Sequence, residues 1–115
     1  MKTLRNSVQL IGHVGKELTF QKLDNGTAYA KFPLATNDFY RNNKGEKVEE
    51  TQWHNVIDWG KTAEYMNENV KKGNELAIRG KLKYSNYDDK DGIKRYKCDV
   101  VVNEFIKLTK ESVPF

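Results

Sequence analysis

A small all-β barrel carrying one helix is the fold this chain predicts, and three observations predict it. Short runs of alternating apolar residues are separated by turns rich in glycine and asparagine, the pattern of strands. Only one stretch, near the middle, spaces its apolar residues as a helix does. The hydrophobic fraction, 37% of 115 residues, suits one domain with one thin core better than a layered fold.

Val8, Leu10 and Val14 open the first strand, with Gly12 and Gly15 expected at bends or bulges. Asp24-Asn25-Gly26 predicts a hairpin, because Asn-Gly takes the positive φ angles of a type I′ turn. The second strand alternates cleanly, with Ala28, Ala30, Phe32 and Leu34 on one face and Tyr29 and Lys31 on the other. Asn42 to Glu46 is a polar tip, long enough for a projecting arm, and the third strand then carries Trp53 and Trp59.

Residues Lys61 to Lys72 read as the helix: Ala63, Met66 and Val70 share a face, Thr62 caps near the start, and Gly73 supplies the left-handed position after the end. Leu76, Ile78, Gly80, Leu82 and Tyr84 alternate against Arg79, Lys81 and Lys83 in the fourth strand. A turn at Asp88 to Gly92 leads to a last strand with Tyr96, Cys98, Val100 and Val102, running to about Leu108. Three strands, one α-helix between strands 3 and 4, then two strands is the element order of the five-stranded oligonucleotide/oligosaccharide-binding (OB-fold) barrel. Other small antiparallel barrels remain open, but the position of the single helix favours this one. With no repeat, linker or low-complexity tract, residues 1–109 are expected to form one domain and 110–115 a short C-terminal tip.

The net charge of +4 and a pI near 9.1 favour an anionic partner. Cys98 is the only cysteine, so no intrachain disulfide forms and a reducing compartment is the natural setting. The first residues hold no apolar run of a signal peptide, and no stretch reaches the length of a membrane span. A cytoplasmic protein without membrane attachment is expected.

Four aromatic residues with basic neighbours, Tyr40, Trp53, Trp59 and Tyr87, are candidates for stacking bases of an unpaired strand. Trp53 and Trp59 are six residues apart, so in a strand both project to one face, on the order of 20 Å apart. Their own strand leaves two readings. Hydrophobicity alone turns the face of Trp53, Asn55, Ile57 and Trp59 inward and leaves Asp58 outside, whereas a coiled barrel strand changes the surface it faces along its length. Arg79, Lys81 and Lys83 share a strand face suited either to solvent or to a phosphate backbone. Four platforms at roughly 1–3 kcal/mol per stacked base amount to about 4–12 kcal/mol before ordering costs.

Catalysis has little to stand on. His13 and His54 are the only histidines, and neither has metal-ligand spacing with Cys98 or a carboxylate pair. Asp89-Lys90-Asp91-Gly92 has part of a calcium-loop pattern, but Tyr87 and Cys98 occupy positions where that loop needs ligands. No cofactor, no metal and no enzymatic activity are expected.

The runs Val8-Gln9-Leu10-Ile11-Gly12-His13-Val14-Gly15, Phe32-Pro33-Leu34-Ala35-Thr36-Asn37, Thr51-Gln52-Trp53-His54 and Trp59-Gly60-Lys61-Thr62-Ala63-Glu64 resemble the bacterial single-stranded DNA-binding proteins. So do Asn25-Gly26, Lys72-Gly73, Arg79-Gly80, Asp91-Gly92, Arg95-Tyr96 and Val100-Val101-Val102-Asn103, and the likeness covers residues 4 to 108 in order. The resemblance implies an OB-fold barrel, assembled as a homotetramer, that coats single-stranded DNA without sequence preference in replication, recombination and repair. It implies base stacking at Tyr40, Trp53, Trp59 and Tyr87, phosphate contacts at Lys61, Lys72 and Lys83, with Lys81 and Arg79 joining from their strand face, and a subunit interface at His54. Asn55, Ser85 and Asn86 stand where many members are basic.

Members of that family continue into a long linker and an acidic tail. This chain reads as a short form lacking both, with Val113, Pro114 and Phe115 kept as a tip that docks replication or repair proteins, or else an accidental ending. Two other readings make different predictions. A protein-interaction barrel of the primosome type predicts a dimer that binds oligonucleotides weakly, and an RNA-binding barrel predicts at least equal preference for RNA.

Overall fold

The computed structural model describes residues 4–109, so Val113, Pro114 and Phe115 lie outside the described residues. Seven elements follow in order: β1 Val8–Val14, β2 Thr19–Lys22, β3 Ala28–Arg41, β4 Lys47–Trp59, α1 Gly60–Asn69, β5 Glu75–Asp88 and β6 Lys94–Lys107. The strands join in the order β1-β5-β6-β4-β3-β2, and a further β1–β3 pairing closes the sheet into a barrel. The first of the five expected strands is split by the chain leaving the sheet after Val14, so β1 and β2 are its two pieces. The helix falls where expected, between the third and fourth of those five strands.

Closure depends on β1 changing partners. It pairs with β5 from Val8 to His13 and with β3 at His13 and Val14. Gly12 sits at that crossing, and a Cβ there would run into the Ala35 carbonyl. Gly12 is therefore a close approach inside a strand rather than a bend.

Alternation in β3 fills the interior. Ala28, Ala30, Phe32 and Leu34 are buried, and Phe32 and Leu34 pack with Val14, Val56, Met66, Val70, Leu76, Ile78, Val100 and Val102. Ala28 and Ala30 form a smaller cluster with Ala63, so small side chains are what let α1 lie close to the sheet. The helix is shorter than its sequence pattern. It ends at Asn69 with Val70 already extended, and its start has no side-chain cap, so Thr62 does not serve as one. Gly73, at φ 89°, instead serves the following turn, in which Asn74 N–H donates to the Lys71 carbonyl.

Three hairpin turns share one geometry. Leu23–Thr27, Asn42–Glu46 and Asp89–Ile93 each close with two backbone hydrogen bonds, and Gly26, Gly45 and Gly92 have positive φ. Asn25 does not, so the first turn is type I followed by a glycine bulge, and not the expected type I′. The three-residue loop selects that geometry. Asp89 builds the last turn by accepting N–H bonds from Asp91 and Ile93. The Arg95 guanidinium, 2.8 Å away, and those N–H groups hold its carboxyl below the usual range.

The β3–β4 ladder runs unbroken from Tyr29↔Trp59 to Arg41↔Lys47, whereas β4 meets β6 in parallel only at Asn55–Ile57 with Asp99–Val101. Toward the turns the two long hairpins therefore diverge, as two arms leaving one end of the barrel. The Cα radius of gyration, 16.7 Å, exceeds the ~13 Å of a compact domain of this size accordingly.

Candidate nucleic-acid interface

Residues of equal parity along an unbroken ladder project to one side. On β4 the outward side holds Trp53, Asn55, Ile57 and Trp59, opposite Ala35, Pro33, Lys31 and Tyr29 of β3. Trp53 is 61% exposed and Trp59 43%, while Asp58 is 3% exposed. Hydrophobicity alone gives the reverse arrangement, and the register explains why it fails. Asp58 lies across from Ala30, in the part of the interior that Ala28, Ala30 and Ala63 keep narrow. A carboxylate fits there; an indole does not.

Each tryptophan ring rests against a neighbour. The Trp53 ring lies against Gly15, where a Cβ would strike it. Trp59 packs on Tyr29, with ring centroids 5.4 Å apart and planes tilted by 49°, and the Tyr29 hydroxyl donates to Gln21 Oε1 at 2.5 Å. Lys31 Nζ stands 5.4 Å from the Tyr29 ring centre, adding a cation to this corner. Behind Trp59, its backbone N–H donates to Asp58 Oδ1 at 2.8 Å, and Oδ2 has no hydrogen-bond partner among the described residues. Burial pushes the Asp58 carboxyl up from 3.8 to about 6, against the opposing pull of the Trp59 N–H.

The register extends this surface across four strands. Lys81, Val101, Ile57 and Lys31 form one row, and Lys83, Asp99, Asn55 and Pro33 the next. Tyr87, on the β5–β6 arm, shares the side of Lys81 and Lys83 and lies opposite Arg95. Between the tryptophan positions the sheet carries a groove of about 310 Å³, lined by Lys16, Lys31 and Lys97, by Glu17 and Asp99, and by Asn55 and Ile57 among others. Flat rings and ammonium groups thus interleave on one face.

The structure brings Trp53, Trp59, Tyr87, Lys81 and Lys83 onto that face. Arg79 has the same parity but forms an ion pair with Glu104 across the ladder, nearer β1. Tyr40 is exposed on the β3–β4 arm, yet it pairs with Val48 and so projects from the opposite side of the hairpin. Phe39 occupies the tryptophan side, with Lys47 Nζ 4.4 Å from its ring centre. Lys61 is exposed in the first turn of α1 and Lys72 in the turn after the helix, both off the sheet. His54 faces the interior side, half-buried, with Nε2 2.9 Å from Thr36 Oγ1.

Tyr29, Phe39, Lys16, Lys31 and Lys97 were not among the residues that the sequence singled out. Parity in β3 already set Tyr29 and Lys31 opposite the core face, which was a usable signal. Lys16 and Lys97 reach the groove only through barrel closure and the parallel β4–β6 contact, neither of which is local. Among the described residues, no group of three or more His, Cys, Asp or Glu could hold a metal ion, and no helix is long and apolar enough to cross a membrane.

Residues 5–108 match the sequence model of the Single-strand binding protein family. The chain belongs to that family. A single-stranded DNA-binding protein of Neisseria meningitidis serogroup A is 36% identical over 103 residues, 90% of this chain and 59% of the relative. Single-stranded DNA-binding protein 1 of Xylella fastidiosa is 35% identical over 107 residues, 92% of this chain and 79% of the relative. The chain spans about three fifths of the length of the first of these relatives. Among solved structures, a Plasmodium falciparum SSB in complex with ssDNA superposes with a TM-score of 0.86 at 24% identity, covering 95% of this chain and 99% of that one. A deletion mutant of the Thermus aquaticus single-stranded DNA binding protein gives 0.78 at 27% identity, covering 90% of this chain and 50% of that one. Both likenesses support the OB-fold barrel of this family member.

Proposed function

We propose that this member of the single-strand binding family binds and protects single-stranded DNA in replication, recombination and repair, with little regard to sequence. The observation that carries the reading is the pair Trp53 and Trp59, both outward on a basic sheet face and each resting against a neighbouring residue. Names of relatives and the ssDNA-bound Plasmodium neighbour point the same way. In this reading bases stack on Trp53, Trp59 and Tyr87, and phosphates are held by Lys81, Lys83, Lys61 and Lys72, with Arg79 at the margin. Tyr40 serves a strand long enough to pass over the back of its arm. No catalytic step is assigned, and the chain acts in the cytoplasm, at the nucleoid.

The test is a fluorescence-anisotropy titration of labelled dT oligonucleotide, matched RNA and duplex DNA across a range of salt. Tight dT binding that weakens with salt, and weak duplex binding, is the expected result. The slope of log affinity against log salt should approach 0.7 per phosphate contact. Equal affinity for duplex, or no salt dependence, contradicts the reading, and preference for RNA moves it to an RNA-binding barrel.

The functional unit in this reading is a homo-oligomer, most simply a tetramer. Ile11, Ala77 and Ile106 form an outward row across β1, β5 and β6, with both isoleucines exposed, an apolar strip suited to a second copy. His54, near the β1–β3 junction, is assigned to the subunit interface. Sedimentation of the wild type and of Ile106→Lys tests the assembly: four subunits reduced by the substitution support it, and a stable dimer favours the protein-interaction barrel. The tip Val113-Pro114-Phe115 is assigned to docking replication or repair proteins, and unchanged partner capture after its deletion removes that assignment.

A further inference from the structure

We propose that the groove between Trp53 and Trp59 reads one amino-bearing base, cytosine being the smallest, through Asp99 and Asn55. The inference rests on the DNA-binding reading and deepens it. An acidic side chain at the centre of a phosphate-binding face is electrostatically out of place, since it repels the backbone that its neighbours attract. Asp99 nevertheless lines the groove, in one row with Asn55 on one side and Lys83 on the other. Asn55 and Ile57 separate the two tryptophans along the outward side of β4, so the groove falls between the stacking platforms. Lys16, Lys31 and Lys97 line the groove together with Asp99 and Glu17, so it offers cations to phosphates and carboxylate acceptors to the edge of an amino-bearing base.

The donor pattern then selects the base. Asp99 accepts but cannot donate while ionised, so it pairs with an exocyclic amino group such as cytosine N4. The adjacent Asn55 amide offers both a donor and an acceptor, enough to satisfy the neighbouring ring oxygen or nitrogen. Thymine presents O4 where cytosine presents its amino group, and O4 faces Asp99 acceptor to acceptor. Lys97 Nζ lies 3.8 Å from the half-buried Asp99 carboxylate, and an ion pair of that length, with its lysine exposed, is weak enough for a base to displace. At about 310 Å³ the groove is at the small end of ligand sites, a size for one base and not a duplex.

The test compares affinities of the full chain for dC and dT oligonucleotides of equal length at pH 8, in the wild type, Asp99→Asn and Asn55→Ala. Stacking strength and backbone flexibility also bias homopolymer binding, so the quantity read is the dC/dT affinity ratio in each variant relative to wild type. Asp99→Asn should lower that ratio on the order of fivefold, the low end for a hydrogen-bonded base contact, because the amide can donate to thymine O4. Asn55→Ala should lower it in the same direction and by less. Measurable binding with one unchanged ratio in all three proteins overturns the inference and leaves the DNA-binding reading standing. Failure of every variant to bind either strand overturns both.

Discussion

The backbone N–H of Trp59 donates to Oδ1 of Asp58 at 2.8 Å, which ties a buried carboxylate to one of the two outward tryptophans. The folded protein holds the Asp58 proton up to about pH 6, while an unfolded chain releases it near 3.8. Between those values the folded state binds more protons, so this residue's contribution to stability falls as pH rises through the window and is level above it. Replacing Asp58→Asn removes that slope and stabilises the fold at pH 7.5 by about 1–3 kcal/mol, less than the full shift because a buried amide also lacks a partner. Urea midpoints of both proteins at pH 4 and 7.5 check this, and parallel pH profiles would count against it.

Gly15 supports Trp53 by having no side chain. Gly15→Val should push the indole off its seat and cost about 1–3 kcal/mol of single-strand affinity, the worth of one stacked base, with little effect on the unfolding midpoint. Trp53→Ala should cost as much in binding. If Gly15→Val binds as the wild type does, Trp53 is not a platform.

Register assigns the two aromatic residues of the β3–β4 arm to different strand lengths. Phe39→Ala should weaken an oligonucleotide just long enough to cover the tryptophan face, again by about 1–3 kcal/mol. Tyr40→Ala should matter only for strands long enough to pass behind the arm. Calorimetric titration with short and long dT separates them, and a larger effect of Tyr40→Ala on the short strand reverses the assignment.

Lysines on the sheet face should each carry a share of the salt dependence. If each holds one phosphate in the proposed complex, Lys31→Ala and Lys83→Ala should each reduce the salt slope by about 0.7. Arg79→Ala should reduce it less, since Glu104 already neutralises the guanidinium. Equal losses at all three positions would mean that the ion pair opens on binding.

The barrel was legible because its information is local: alternation set the inward face of β3, and glycine with asparagine or aspartate marked all three hairpins. What the sequence obscured depends on contacts between distant segments. Trp53, Asn55, Ile57 and Trp59 form the more apolar side of β4, and the ladder that sets Asp58 across from the buried Ala30 turns that side outward. Phe39 and Tyr40 are indistinguishable by composition and differ only in ladder parity. Lys97 joins the site through a three-residue parallel contact with no local signature. Helix length was overread because Val70 keeps the helical spacing of Ala63 and Met66 while its backbone is already extended.

The central claim is that both tryptophans meet bases. Intrinsic fluorescence titrated with dT at low and high salt, in the wild type, Trp53→Phe and Trp59→Phe, tests it most directly. Quenching in all three proteins, weaker in each variant and reversed by salt, is the result this account predicts. Oligonucleotide binding that leaves the fluorescence unchanged would contradict it, and would turn the tryptophan face toward a protein partner.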